Sequence, residues 1–227
     1  MASVQGFDEF IRPTETIESS HPAVVEFARL HSEGSDSDVE RAVRLYYAVR
    51  DRVRYDPYNI ELSVPKMKAS ATLESRRGWC VLKAILLAAC CRGTGIPARL
   101  GFADVRNHLS TERLRRTMST DVFYWHGYTE IFLDGKWVKA TPAFNIELCE
   151  KFRLLPIEFD GLTDSLYHPY DAEGRRHMEY VAYRGVYSDA PLHEIAQTFE
   201  EAYSFGSPKN DLAGADFEED AARENKV

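Results

Sequence analysis

The chain has 227 residues with a formal net charge of -8, and 44% of its residues are hydrophobic. The acidic balance argues against nucleic acid or a membrane surface as a partner, because both attract basic patches. No apolar run reaches the length of a membrane span, and the first residues lack the basic start and apolar stretch of a secretion signal. We therefore expect a soluble, cytoplasmic protein with a sizeable core.

The four cysteines are Cys80, Cys90, Cys91 and Cys149. Their spacing does not match that of a zinc site, and no segment resembles a calcium-binding loop. We expect reduced thiols and predict neither a metal nor another cofactor. Buried cysteines usually act as small core hydrophobes, and we assign that role to all of them except Cys80.

The first half of the chain is predicted to be mainly helical. Apolar residues recur three and four apart in 22–30 and 37–55, which predicts two amphipathic helices, the second capped by Ser37 or Asp38. The stretch 56–75 contains two prolines and little periodicity, so we expect an irregular loop. Residues 79–92 are apolar nearly all round, which predicts a buried central helix.

An antiparallel sheet is predicted to follow the central helix. Residues 96–105, 125–133 and 136–141 have the composition of strands, and Asp134 and Gly135 form a two-residue turn between the last two. The polar interval 106–120 is expected to be a surface insertion with room for a short helix.

The C-terminal part carries weaker signals. Only 191–204 has a helical pattern, and residues 206–227 form an acidic tail that we expect to be disordered. The predicted organisation is a single α+β domain over 1–205, with its core at about 70–145.

Cys80 is the candidate nucleophile because it lies at the start of the predicted central helix. Unpaired N-H groups and the positive end of the helix dipole stabilise a thiolate there, and Arg76 and Arg77 are close in sequence. We therefore expect a lowered thiol pKa. The same N-H groups would also stabilise an oxyanion beside the sulfur.

His126 is the candidate base because it lies on a strand whose partner follows from the turn. The register places Tyr128 opposite Thr141, which makes Thr141 the diagonal neighbour of His126 on the same face. A diagonal neighbour lies close enough to orient an imidazole. His108 is the competing base, with His168 and His177 as weaker alternatives.

Aromatic residues surround these positions in the sequence. Trp79, Trp125 and Tyr128 are expected to form a substrate-binding wall, together with Tyr124 and Trp137, and Arg77 could hold a substrate carboxylate. Strand aromatics that simply pack in the core are the alternative reading.

The segments RRGWC, GIPARLGF and WHGYTEIFLDGKWVKATP together resemble the transglutaminase-like core of bacterial proteins, over about 70–145. The resemblance implies a papain-like fold in which a cysteine opens a helix packed on an antiparallel sheet. A histidine and an aspartate on neighbouring strands complete the triad in that family. Cys80 and His126 match the first two members.

The third member departs from the family pattern, because Thr141 stands where the aspartate is expected. A threonine can accept a hydrogen bond from the imidazole but brings no charge to stabilise an imidazolium. Asn145 is a second candidate, since an asparagine serves in the papain arrangement. Asp104 and Asp160 are further candidates.

The leading hypothesis is acyl transfer through Cys80, with hydrolysis of a peptide or of a small amide or ester substrate as the outcome. A catalytically weak or inactive domain that binds peptides is the first alternative, and Thr141 supports it. A transglutaminase that cross-links or deamidates proteins is the second.

Overall fold

The computed structural model describes residues 7–108, 110–203, 212 and 214–224. Within them, the helices lie in the N-terminal half, around the sheet and near the C-terminus. They are α1 (Pro22–Ser32), α2 (Asp38–Arg52), α3 (Val64–Met67), α4 (Ala69–Ser75), α5 (Cys80–Gly93), α6 (Glu112–Met118), α7 (Ile146–Phe152), α8 (Leu192–Ala202) and α9 (Phe217–Glu224). A short 3-10 helix spans Asp8–Phe10. No helix in this described part is long and apolar enough to cross a bilayer.

The main sheet has four antiparallel strands in the order β5-β4-β3-β6. They are β3 (Ala98–Asn107), β4 (Val122–Leu133), β5 (Lys136–Ala140) and β6 (Met178–Tyr187). Two short strands, β1 (Arg54–Tyr55) and β2 (Arg77–Gly78), form a separate parallel pair. This pair brings the end of α2 next to the residues that precede α5.

The turn between β4 and β5 has the predicted geometry. Asp134 and Gly135 both have positive φ angles, of 48° and 83°, as the two-residue type I′ turn requires. Leu133 therefore pairs with Lys136, and the ladder continues to the pair Thr129 and Ala140. The predicted register of this hairpin is confirmed along β5.

Helix α5 is the buried centre of the fold, as its uniform apolarity predicts. It lies on one face of the sheet, where the Thr129 hydroxyl donates to the Ala84 carbonyl at 2.8 Å. Helices α1, α2 and α4 pack on its other sides. An α+β architecture with a central helix on an antiparallel sheet is thus confirmed.

Lys83 is a charged residue on this buried helix, and its side chain is fully buried. Its Nζ donates to the carbonyls of Arg50 and Val53 at 2.8 and 2.5 Å. These carbonyls lie at the end of α2, where helix carbonyls lack partners within the helix. Lys83 therefore ties the C-terminus of α2 to the centre of the core.

Several predictions about the intervening segments are wrong. Residues 64–75 of the expected irregular loop form α3 and α4, and the C-terminal half also contains α7 and β6. Tertiary packing overrides weak local periodicity in such short elements. The insertion 106–120 contains the expected short helix, α6, but Leu114 on that helix is buried, so it is not a simple surface loop. Its Leu109 lies outside the described residues.

Within the acidic segment 206–227, for which the sequence predicts disorder, residues Phe217–Glu224 form α9. Phe217 packs on Tyr55 and Tyr58, with ring centroids 5.7 and 5.3 Å away. Glu218 forms ion pairs with Arg54 and Lys151 at 2.7 and 2.6 Å. Both the buried apolar side and the acidic charge of this helix therefore dock it, because the charge meets cations on the folded surface. Residues 206–211, 213 and 225–227 of the predicted tail lie outside the described part.

Candidate active site

Cys80 is the first residue of α5, as predicted, and Trp79 before it is extended. The N-H groups of Gly127, Val81 and Cys80 point at the sulfur and favour the thiolate. Burial has the larger effect, however, and raises the pKa of the Cys80 thiol to about 11. The expected lowering of this pKa is therefore wrong, although the helix-start N-H groups act in the expected direction.

The two arginines near Cys80 in sequence do not reach it. Arg76 adopts a left-handed conformation after α4 and is exposed. Arg77 lies 3.6 Å from a carboxylate oxygen of Asp56 and 3.4 Å from one of Asp216. These two carboxylates already occupy the guanidinium of Arg77. The contacts therefore argue against both expected roles of Arg77, which are to activate the thiol and to hold a substrate carboxylate.

Gly127 allows the start of α5 to approach β4 closely. A Cβ on this glycine would lie 3.0 Å from Val81 Cα and 2.9 Å from Val81 Cγ2. The close approach is what lets the Gly127 N-H reach the sulfur of Cys80. The glycine after His126 thus joins the proposed nucleophile to the strand that carries the proposed base.

His126 follows an irregularity in β4. Trp125 has a φ of 58°, a strained conformation for a bulky residue, and the register with β3 shifts between Ala103 and Val105. Asp104 holds this conformation, because its Oδ1 accepts from the Trp125 N-H at 3.1 Å and from Arg184 Nε at 2.5 Å. Asp104 therefore positions the strand at His126.

The imidazole of His126 is 2% exposed and packs against Tyr167, with ring centroids 4.5 Å apart. Burial lowers its pKa to about 3. Its Nε2 is buried and has no hydrogen-bond partner among the described residues. A buried polar atom without a partner costs free energy, so a hydrogen bond at Nε2, as donor or acceptor, would stabilise the site.

Thr141 lies one residue beyond the end of β5 and is fully buried. Its Oγ1 is buried and makes no well-formed hydrogen bond in the described part of the chain, but it lies close enough to the Tyr180 hydroxyl to lower the pKa of that phenol against the larger rise caused by burial. No hydrogen bond joins Thr141 to His126, its predicted diagonal neighbour across the hairpin.

The other candidates for the third member have different contacts. Asn145 is buried, its Oδ1 accepts from the Tyr55 N-H at 3.0 Å, and its Nδ2 donates to Glu147 at 3.1 Å. Asp160 closes an exposed turn by accepting from the N-H groups of Leu162 and Thr163. Asn145, Asp104 and Asp160 are thus held by other partners, and Thr141 stays a prediction for the third member.

A cavity of about 630 Å³ contains the candidate pair, and both Cys80 and His126 line it. No other histidine is among its described lining residues. His108 Nε2 lies 3.6 Å from Glu179, and His168 Nε2 lies 3.2 Å from the Pro156 carbonyl. His177 faces a different cavity. The cavity thus favours His126 over the three competing histidines.

The aromatic wall consists partly of unexpected residues. Trp79 and Tyr124 line the cavity, as proposed, together with Tyr55, Tyr167 and Tyr203. The other three expected residues pack elsewhere: Trp125 donates to the Thr198 hydroxyl, Tyr128 covers Gly101, and Trp137 packs on Phe132. For these three residues, packing in the core is a better interpretation than a place in the substrate-binding wall.

The comparison with protein families agrees with this arrangement. Residues 25–142, just over half of the chain, match the profile of the transglutaminase-like superfamily. The chain belongs to the transglutaminase-like superfamily. The match ends one residue after Thr141, so it includes Cys80, His126 and the position of the third member.

Two solved structures show a distant similarity to this chain. One is titled a "Putative Cysteine Protease from Cytophaga hutchinsonii", with 17% identity, a TM-score of 0.49, and coverage of 82% of this chain and 55% of that one. The other, a "putative protease from Parabacteroides distasonis", has 16% identity, a TM-score of 0.38, and coverage of 52% and 23%. This chain therefore spans about half the length of the first protein and about a quarter of the length of the second. The search of curated proteins gives no match.

The residues that sequence reasoning missed come from outside the transglutaminase-like core motifs. Tyr167 follows an irregular segment, and Tyr203 lies at the end of α8. Burial raises the pKa of each phenol. Each also lies near enough to Cys80 for a negative charge on the sulfur to raise that pKa further. No local sequence pattern marks these two tyrosines as cavity residues, because only long-range packing brings them close to Cys80.

Proposed function

We propose that this transglutaminase-like chain catalyses acyl transfer through Cys80, with His126 as the base and hydrolysis of an amide bond, in a peptide or a smaller molecule, as the reaction. The observation that carries the proposal is the shared cavity. It contains a cysteine at a helix start, with three N-H groups directed at its sulfur, and a buried histidine with an unpartnered nitrogen.

The resting pair is neutral in this proposal. Burial raises the pKa of Cys80 to about 11 and lowers that of His126 to about 3, so neither group is charged near pH 7. The proton therefore passes from the sulfur to the imidazole as the sulfur attacks the substrate carbonyl. General-base catalysis of this kind requires the two groups to be held together, and the contact of Gly127 with Cys80 provides that.

The chemical steps follow from these positions. The sulfur forms a bond to the carbonyl carbon, and the carbonyl electrons move to the oxygen, where N-H groups at the start of α5 stabilise the negative charge. The carbon-nitrogen bond then breaks, and the imidazolium gives its proton to the leaving amine. Water next loses a proton to His126, attacks the thioester and releases the acid and the thiol.

Thr141 is the proposed orienting residue. Its hydroxyl can accept a hydrogen bond from the Nε2-H of His126 after a rotation of its side chain away from Tyr180, which leaves Nδ1 as the nitrogen that takes the proton from Cys80. Because the hydroxyl carries no charge, it stabilises the imidazolium less than an aspartate would. We expect slower turnover than in a site with a carboxylate at this position.

Acylation of Cys80 tests the proposal directly. The protein would be mixed with p-nitrophenyl acetate, and the acetylated residue identified by mass spectrometry after rapid quenching. We expect acetylation at Cys80 and its loss in Cys80→Ala, with a reduction of about a hundredfold in His126→Asn, as expected for removal of a general base. Cys149→Ala is the control, because Cys149 is also buried but lies outside the cavity lining.

A catalytically weak domain that binds peptides is the second candidate. The neutral Thr141 and the raised pKa of Cys80 favour it. Equal acetylation of the wild-type protein and His126→Asn would support this candidate and contradict the proposed base.

A further inference from the structure

We infer that the substrate of this site is a small amide or ester with an apolar body that is uncharged or cationic, and that it enters the cavity end-on. This inference rests on the proposed function, because it assigns a substrate class to the same cysteine. Three observations carry it: the burial of the reacting groups, the composition of the cavity wall and the charges at its rim.

The reacting groups are buried at the wall of a cavity that opens to solvent where Glu61 and Glu200 are exposed. Cys80 is 7% exposed and His126 is 2% exposed. A polypeptide cleaved at an internal bond needs open surface on both sides of the nucleophile, which such burial does not offer. A volume of about 630 Å³ instead falls in the range of roughly 300–1,000 Å³ typical of small-molecule sites.

The wall of the cavity is largely apolar, and a third of its described lining residues are aromatic. Tyr55, Trp79, Phe199 and Tyr203 are each less than a tenth exposed and line the cavity around Cys80. Trp79 and Phe199 also pack on one another, with ring centroids 6.0 Å apart. Removal of an apolar or aromatic group from water against this surface is favourable, at roughly 25 cal/mol per Å². The body of the substrate should therefore be apolar.

The charged residues of the cavity are both acidic. Glu61 and Glu200 line the cavity and are exposed, which places them at its rim. Glu61 accepts a hydrogen bond from the Ser63 hydroxyl at 2.8 Å, and neither glutamate forms an ion pair with another described residue. Lysine and arginine are missing from the described lining residues. A carboxylate on the substrate would thus be repelled, and an ammonium group would be attracted.

Three alkylating probes test this inference. They are N-benzyl chloroacetamides that differ only at the para position, which carries hydrogen, a carboxylate or an aminomethyl group. Each rate of Cys80 alkylation is divided by the rate of the same probe with glutathione. We expect the neutral and cationic probes to react at least about tenfold faster than the anionic probe, since two nearby charges contribute energies on this scale.

The double variant Glu61→Gln with Glu200→Gln identifies the source of the selectivity. We expect the ratio of cationic to anionic rates to fall by at least about threefold, with little change for the neutral probe. Phe199→Ala should slow the neutral probe by about tenfold, because it removes aromatic wall without altering charge.

The outcomes separate the two proposals. Cys80 alkylation by all three probes at equal normalised rates, or fastest by the anionic probe, would overturn the substrate class and leave the nucleophile intact. Failure of every probe at Cys80, together with no acetylation by p-nitrophenyl acetate, would overturn the proposed function itself. Protection of Cys80 by an unfolded polypeptide such as reduced casein, and not by benzylamides, would also overturn the inference of end-on entry.

Discussion

The close contact between Gly127 and the start of α5 can be tested by Gly127→Ala. The new Cβ would lie 2.9 Å from Val81 Cγ2 and 3.0 Å from Val81 Cα. Carbon atoms pack at roughly 3.5–4.0 Å, so β4 and α5 must separate by roughly 0.5–1 Å. The same movement stretches the hydrogen bond from the Gly127 N-H to the sulfur of Cys80.

The expected effects follow from that displacement. Overpacking of this kind lowers the free energy of unfolding by about 1–3 kcal/mol. For a chain of this size, each 1 kcal/mol lowers Tm by about 2–4 °C, so we expect a drop of roughly 2–12 °C. Weakening a hydrogen bond to the thiolate also raises the pKa of Cys80, and one further pKa unit would slow its alkylation about tenfold at a fixed pH.

Calorimetry and mass-spectrometric mapping of iodoacetamide labelling measure the two effects. Gly93→Ala is the matched control, because its Cβ would lie 2.9 Å from the Ser19 carbonyl oxygen at the opposite end of α5. We expect Gly93→Ala to lower Tm without slowing the alkylation of Cys80. The reasoning is refuted if Gly127→Ala slows this alkylation no more than Gly93→Ala does.

Three further changes have expected outcomes. Thr141→Asp should speed the alkylation of Cys80 near pH 7 by about tenfold, because a carboxylate beside the imidazole of His126 raises its pKa and strengthens the base. Burial alone would raise the pKa of Glu218, but its two cationic partners lower it to about 2, below the ordinary 4.5. This stabilisation is present above pH 4.5 and is lost toward pH 2, so Glu218→Gln should lower the free energy of unfolding by roughly 1–2 kcal/mol at pH 7 and by almost nothing at pH 2. Burial lowers the pKa of Lys83 from 10.5 to about 7. Between these values the unfolded chain binds more protons, so the free energy of unfolding rises with pH by roughly 2–4 kcal/mol, and Lys83→Met should abolish this rise.

Each of these results has a contradicting outcome. Unchanged alkylation in Thr141→Asp, in a variant that stays folded, would show that the missing charge does not limit Cys80. For Glu218→Gln, an equal loss of stability at pH 2 and pH 7 in denaturant titrations would exclude the ionic docking of α9. For Lys83→Met, a rise in stability between pH 7 and 10.5 equal to that of the wild type would assign the slope to another group.

The central helix and the hairpin were predictable because their signals are local. The apolar run that ends at Gly93 can be shielded from water only by burial. The two-residue turn of Asp134 and Gly135 permits one hairpin register. Cys80 and His126 became candidates on these two elements alone. The same register predicts Thr141 as the diagonal neighbour of His126, one residue beyond the last observed pair, Thr129 with Ala140.

The C-terminal elements could not be predicted, because their stability comes from partners distant in sequence. The sequence of α9 is acidic, which is typical of a solvated tail. Glu218 nevertheless forms ion pairs with Arg54 and Lys151, which are distant in sequence. Tyr167 and Tyr203 likewise reach the cavity only through the fold.

The sequence by itself thus determined the fold class and the helix start that presents Cys80, and it predicts a neutral third member. Only the tertiary structure decided the electrostatic state of the site. A helix start lowers a thiol pKa when water or a cation is near, but here packing removes water from Cys80 and His126, and desolvation outweighs the three N-H groups. Burial depends on every element that packs around the cavity, so no local segment could have shown it.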